Sequence, residues 1–158
     1  MSTTLTVDFF CSLDGYGSAH GWPGYWGKEG PDVTADRVRT FQQEQVLVFG
    51  AKTFREFREF VVDYDEPYYE SLNALPKIVF SNTLEEPLGW NNSTVIREDA
   101  VTAIERLKRT TDVPMRSHGS ISLNRALLAA GLVDRLELTV FPAITGRSGY
   151  AALFHDGA

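Results

Sequence analysis

Apolar residues along this chain fall into two alternating patterns. Runs rich in β-branched and aromatic residues occur at 4–12, 45–49, 77–81, 93–97, 113–117 and 134–141, and each reads as a strand. Between them the apolar spacing changes to three and four residues. Phe54, Phe57, Phe60 and Val61 mark one side of a helix over 52–61, and Ala100, Val101, Ile104 and Leu107 one side of a helix over 98–108. The second has Glu98 and Asp99 at its start and Arg106 and Lys108 at its end, which complements the helix dipole. A helix over 33–44 puts Val33, Val38 and Phe41 toward one side with an imperfect period, and a strong helix over 120–130 is stopped by Gly131. Strands alternating with short helices predict an α/β domain around a mostly parallel sheet. Segment 13–32 reads as a long loop dense in glycine and large aromatics, which either line a ligand pocket or cover the core edge.

Composition narrows this picture. With 158 residues, 43% of them hydrophobic, the chain is expected to fold as a single domain over 1–158. A net charge of -6 and a pI near 5.0 argue against a nucleic-acid or anionic-membrane surface. The one cysteine, Cys11, excludes an intramolecular disulfide and suits a reducing compartment; its apolar run reads as a small buried hydrophobe before it reads as a nucleophile. MSTTLTVD carries neither a basic region nor a long apolar stretch, so a cytoplasmic protein is expected. His20, His118 and His155 lack metal-like spacing, so no metal is expected, and no GxSxG elbow is present.

Two strand-to-helix junctions carry the candidate chemistry. At Gly50-Ala51-Lys52-Thr53, a glycine, a cation and a hydroxyl meet the free N–H groups of a helix start; at His118-Gly119-Ser120-Ile121 the same logic returns. Each reads as a phosphate-binding turn or as a plain capped helix start. Both fall at the carboxyl ends of presumed parallel strands, the edge where open α/β sheets collect ligands. Ser81-Asn82-Thr83 after KIVF either reaches a ribose phosphate or makes a local turn.

In order and spacing, LTVDFFCSLDG, VLVFGAKTF, KIVFSNTL and GSISLNRALLAAGLVDRLELTVFPAITG resemble the dihydrofolate reductase-like superfamily, and most nearly the reductase domain of riboflavin biosynthesis with its small bacterial relatives. The Gly131-Leu132-Val133-Asp134 signature, with Pro142 and Gly146 beyond it, is the most specific part. The resemblance implies a three-layer dihydrofolate reductase-like fold, a mixed, mostly parallel sheet flanked by helices with an antiparallel C-terminal part. It implies an NADPH-dependent reductase, with NADH as the other choice, acting on a small pterin- or pyrimidine-like heterocycle. A nucleotide-binding protein that kept the scaffold without catalysis is the alternative. Gly50, Lys52 and Thr53 at one helix start, and Gly119, Ser120 and Ile121 at the other, would meet the cofactor pyrophosphate, with Ser81 and Asn82 near the adenosine ribose. The nicotinamide would rest near Phe10 and Cys11. Asp32 and Asp36, flanking the position of the folate-reductase carboxylate, are the candidate catalytic acids or else helix N-terminal acids serving the dipole; Asp14 either binds a polar substrate or makes an Asp-Gly turn, and Trp22 and Trp26 are candidates for binding substrate. The family pattern has Arg where this chain has Ala51, and a second glycine where it has His118. It also continues past Leu153-Phe154 into one more strand, whereas this chain reaches only Ala158. A terminal strand is therefore expected to be missing. Strand 134–141 would then be an exposed edge carrying Leu136, Leu138 and Val140, and a second copy would cover it in a homodimer.

Overall fold

The computed structural model describes residues 3–22, 24–25, 27–63 and 68–154, with backbone alone for 60–63. Trp26 lies outside them. In chain order the elements are β1 (Leu5–Ser12), β2 (Tyr16–Ala19), α1 (Pro31–Phe41), β3 (Val46–Gly50), α2 (Ala51–Asp63), α3 (Tyr69–Ala74), β4 (Lys77–Phe80), β5 (Ser93–Ile96), α4 (Ala100–Thr110), β6 (Met115–His118), α5 (Ile121–Ala129), β7 (Arg135–Phe141) and β8 (Gly149–Ala152). Six strands form one sheet in the order β5-β4-β3-β6-β1-β7. Every pairing within it is parallel.

Helices cover both faces, which is why β3, VLVFG, reads as a nearly continuous apolar run. Successive β3 residues show the division. Leu47 and Phe49 pack with Phe41, Phe54, Phe57, Leu72 and Trp90 under α1, α2 and α3. Val48 turns the other way and joins Leu5, Ile104, Met115, Leu123 and Leu127 under α4 and α5. The chain thus has the expected three-layer α/β architecture. The four predicted helices form within two or three residues of their expected bounds. Asp99 caps α4 by accepting the Thr102 N–H (3.0 Å). The Gly131–Asp134 signature is a clip: the Leu132 N–H returns to the Leu127 carbonyl (3.1 Å), and Asp134 accepts the Leu5 N–H (2.7 Å) and an ammonium proton of Lys108. Cys11 is buried among Val7, Phe9 and Leu153.

Three elements depart from the expectation. The antiparallel C-terminal part is not in the main sheet: β8 pairs antiparallel with β2 as a separate ribbon. β2 lies inside the segment read as loop, and α3 was not foreseen. Four-residue strands and a six-residue helix are too short to show a period. Beyond β7 no further strand joins the sheet among the described residues, and Leu136, Leu138 and Val140 stand 42%, 43% and 49% exposed. Among those residues no helix is long and apolar enough to cross a membrane.

Candidate functional site

Two strand-to-helix turns open side by side at the carboxyl edge of the sheet, because β3 and β6 are neighbours. β3 runs directly into α2 at Gly50-Ala51, and β6 reaches α5 through Gly119-Ser120. The turns are interlocked. The Gly50 N–H donates to Ser120 Oγ (2.8 Å), and the Ser120 N–H donates to Thr53 Oγ1 (3.0 Å). Gly119 has φ +73°, where a Cβ would come within 3.2 Å of Thr53 Cγ2, and Ser120 follows at φ +56°. Only glycine adopts the first conformation without strain. Both hydroxyls accept a backbone proton and keep their own to donate. In front of the turns lies a cleft of about 1010 Å³, whose walls include Phe10, Tyr25, Phe57, His118 and Arg125.

Gly50, Lys52, Thr53, Gly119, Ser120 and Ile121 all line this cleft. The other candidates are placed elsewhere. Ser81 and Asn82 follow β4, one strand further along the same edge, outside the lining. Ser81 Oγ accepts the N–H groups of Thr83 (3.1 Å) and Leu84 (3.0 Å), the local turn that was the alternative reading. Asp32 and Asp36 are exposed on α1, outside the cleft, and Asp36 meets Arg39 at 3.3 Å. The inward stripe of that helix belongs to Arg37, Val38 and Phe41. Asp14 is committed to the 145–148 turn: its carboxylate accepts the N–H groups of Gly146 (2.8 Å) and Thr145 (3.1 Å). A side-chain bond from Ser12 and these amides hold it well below the usual carboxylate range. Trp22 bridges to Ala19 and contacts Tyr25 with its ring, outside the cleft lining. Tyr25 takes the wall position instead, stacked on Phe141 at 4.5 Å with its hydroxyl donating to the Tyr16 carbonyl (3.1 Å).

His118, on the cleft wall, rests on an ionic floor whose other members lie outside the cleft lining, and no sequence motif marked it. Asp8, 1% exposed in the middle of β1, bonds His118 Nδ1 through Oδ1. Its Oδ2 accepts from Arg37 (2.9 Å) and Arg116 (2.7 Å). Arg116 also reaches Glu137 (2.7 Å), and Arg37 lies over the Phe10 ring at 4.5 Å. Burial pushes the Asp8 carboxyl up, but His118, Arg37 and Arg116 outweigh it and hold Asp8 far below its ordinary value. His118 moves down: burial leads, the two guanidiniums add to it, and Asp8 opposes. The imidazole stands edge-on to Phe57 (5.0 Å) and Phe10 (5.6 Å). One signal was present in the sequence. Arg37 interrupts the apolar stripe of α1, which is why that helix showed an imperfect period.

Compared with known families, the chain matches the RibD C-terminal domain over residues 3–158. It belongs to that family. Its fold is that of a putative riboflavin biosynthesis protein from Shewanella sp. PV-4, with 25% identity and a TM-score of 0.74 over 99% of this chain and 84% of that one. It is also similar to the uncharacterized protein YyaP of Bacillus subtilis (strain 168), 22% identical over 147 residues, which cover 90% of this chain and 76% of YyaP. A diaminohydroxyphosphoribosylaminopyrimidine deaminase/5-amino-6-(5-phosphoribosylamino)uracil reductase from Thermotoga maritima shares the fold at 14% identity and a TM-score of 0.62. There this RibD-type domain spans 99% of its own length and half of the longer chain.

Proposed function

We propose that this RibD-type domain is an NADPH-dependent reductase of a small, flat heterocycle of the pyrimidine or pterin kind, with NADH as a possible second donor. The interlocked pair of helix starts at the mouth of the cleft carries the reading. A side chain on Gly119 would press on Thr53 Cγ2 at 3.2 Å, so the second turn keeps its close approach to the first only as glycine. First-turn amides and the Thr53 and Ser120 hydroxyl protons supply donors, the helix dipoles favour an anion, and exposed Lys52 adds a cation at the rim. When bound, the cofactor supplies the hydride. The chain's own part is to place the acceptor ring against Phe10 and Tyr25 and to exclude water from between the reacting atoms.

The family match and the pyrimidine reductase among the fold's relatives support the substrate class. A binding protein without turnover is the second reading, favoured by one observation: Glu56 is the only carboxylate among the described cleft residues, since Asp32 and Asp36 face solvent. Titration with NADPH, followed by tryptophan fluorescence and thermal shift, tests the first step; no response at millimolar cofactor removes the reading. Cofactor oxidation across pyrimidines and pterins then separates the enzyme from the binding protein. The open β7 edge supports a homodimer within the same reading, and a monomer by light scattering at high micromolar concentration would exclude it.

A further inference from the structure

The carboxyl edge of the sheet continues past the cradle toward β4 and β5. Gly50, Phe80 and Ile96 are register partners across β3, β4 and β5. The strands are parallel, so the residues that follow them, Ala51, Ser81 and Arg97, leave the sheet side by side at that edge. With neighbouring strands about 5 Å apart, the Arg97 backbone stands roughly 10 Å from that of Ala51. Its guanidinium turns back along the edge toward β4. Nη1 donates to the Ser81 carbonyl (3.4 Å) and Nη2 to the Leu84 carbonyl (2.8 Å). Two carbonyls hold the group in place without cancelling its charge, and they leave the rest of its N–H groups to donate. Among the described residues no carboxylate pairs with it. Glu98 beside it meets Arg106 (2.8 Å), and Asp99 accepts the Thr102 N–H (3.0 Å) at the start of α4. Lys52, the cation nearest the cradle, faces Glu56 at 3.9 Å. Arg97 is thus an exposed, positioned and unneutralised guanidinium, the one cation in the row Ala51, Ser81, Arg97.

We propose that Arg97 is the specificity-determining residue of the cofactor end: it takes the 2′-phosphate of NADPH and so selects NADPH over NADH. On the reductase reading the cradle's donors meet the pyrophosphate, which both cofactors share, so they favour neither. Only a group that reaches the adenosine ribose tells the two apart. A phosphate monoester carries between one and two negative charges near neutral pH. Its oxygens match the planar donor set of a guanidinium, which binds them by short charge-assisted hydrogen bonds.

The inference rests on the reductase reading, and its test separates the two. NADPH and NADH are titrated against the parent and Arg97→Gln. The parent binds NADPH about tenfold or more tighter than NADH. In Arg97→Gln the NADPH affinity falls about tenfold while NADH affinity holds within about threefold, so the preference disappears. A role in holding the turn alone would weaken both cofactors alike, and that result overturns the inference. Nitrogen-15 NMR of the parent depends on no variant folding: the Arg97 Nε–H signal moves on adding 2′,5′-ADP and stays in place with 5′-AMP. A signal indifferent to the 2′-phosphate overturns the inference. So does a parent that binds NADPH and NADH equally, which leaves the reductase reading standing. A parent that binds neither cofactor removes the reading itself.

Discussion

His118 and Gly119 are neighbours in the chain, yet they belong to two structures built in opposite ways. Gly119 opens a cradle made from local geometry: a strand end, a left-handed turn, a helix start and two short hydroxyl side chains. His118 closes a floor made from side chains that meet only after folding, with Asp8 110 residues away and Arg37 contributed by a helix on another layer. The cradle tolerates loss of one contact because backbone and dipole remain. The floor is expected not to, because each buried charge there neutralises another.

The sharpest way to break that contrast is Asp8→Ala. It leaves the buried Arg37 without its carboxylate and the half-buried Arg116 with Glu137 alone, and removing one member of a buried ionic cluster costs roughly 3–5 kcal/mol. A large drop in the urea midpoint is expected, with loss of cofactor binding following from loss of the fold. An alanine variant as stable as the parent would mean that the floor is not an energetic unit.

Acid titration reads the same cluster without mutation. In the folded chain His118 lies below its ordinary value of 6.5, so only the unfolded state gains a proton as pH first falls through that value. Stability should therefore decline from about pH 6.5 downward. A second, steeper loss follows below about pH 4, where the unfolded chain protonates Asp8 while the folded chain holds it ionised. Urea midpoints between pH 3 and 8 check both steps. His118→Gln should erase the upper step and leave the lower, and a parent whose stability is flat from pH 7 to 5 contradicts the downward shift of His118.

The same contrast explains what could be read from the sequence. The cradle was visible because Gly50, Thr53, Gly119 and Ser120 sit at junctions where a strand-like run gives way to a helical pattern. The α/β class followed from that alternation alone. Asp8, by contrast, reads as a polar interruption in TVDFF, and Arg116 and His118 as ordinary polar residues of MRSH. Nothing local tells which distant charges will neutralise them. Asp32 and Asp36 drew attention as acids near a helix start, and proved to face solvent because the buried stripe of α1 runs through Arg37 and Phe41. The ribbon was hidden for the same reason as the floor: Tyr16 pairs with Ala152, and neither strand carries a signal of its own.

Within the cradle, Gly119→Ala should act through the backbone. Its φ of +73° strains any side chain, and the added Cβ would lie 3.2 Å from Thr53 Cγ2. A loss of about 1–2 kcal/mol is expected, well short of the Asp8 effect, together with weaker NADPH binding as the turn shifts. Unchanged stability would show that the turn relaxes freely and that its geometry is not what the cradle depends on.

Thr53→Ala is the gentlest probe and the one that isolates the cradle's chemistry. Its Oγ1 accepts the Ser120 N–H at 3.0 Å, so the variant removes one neutral hydrogen bond, worth about 1 kcal/mol. The freed amide lies at the cleft mouth, where water can satisfy it, so the fold should survive with a small shift in thermal midpoint. On the proposed reading cofactor affinity falls further than stability does, because the lost hydroxyl proton would also be a donor toward the pyrophosphate. Thr53→Ser restores both functions and should recover parental affinity. If Thr53→Ala loses stability but binds NADPH as the parent does, Thr53 is a lock between two turns and no part of the phosphate site; the cradle would then rest on backbone amides alone.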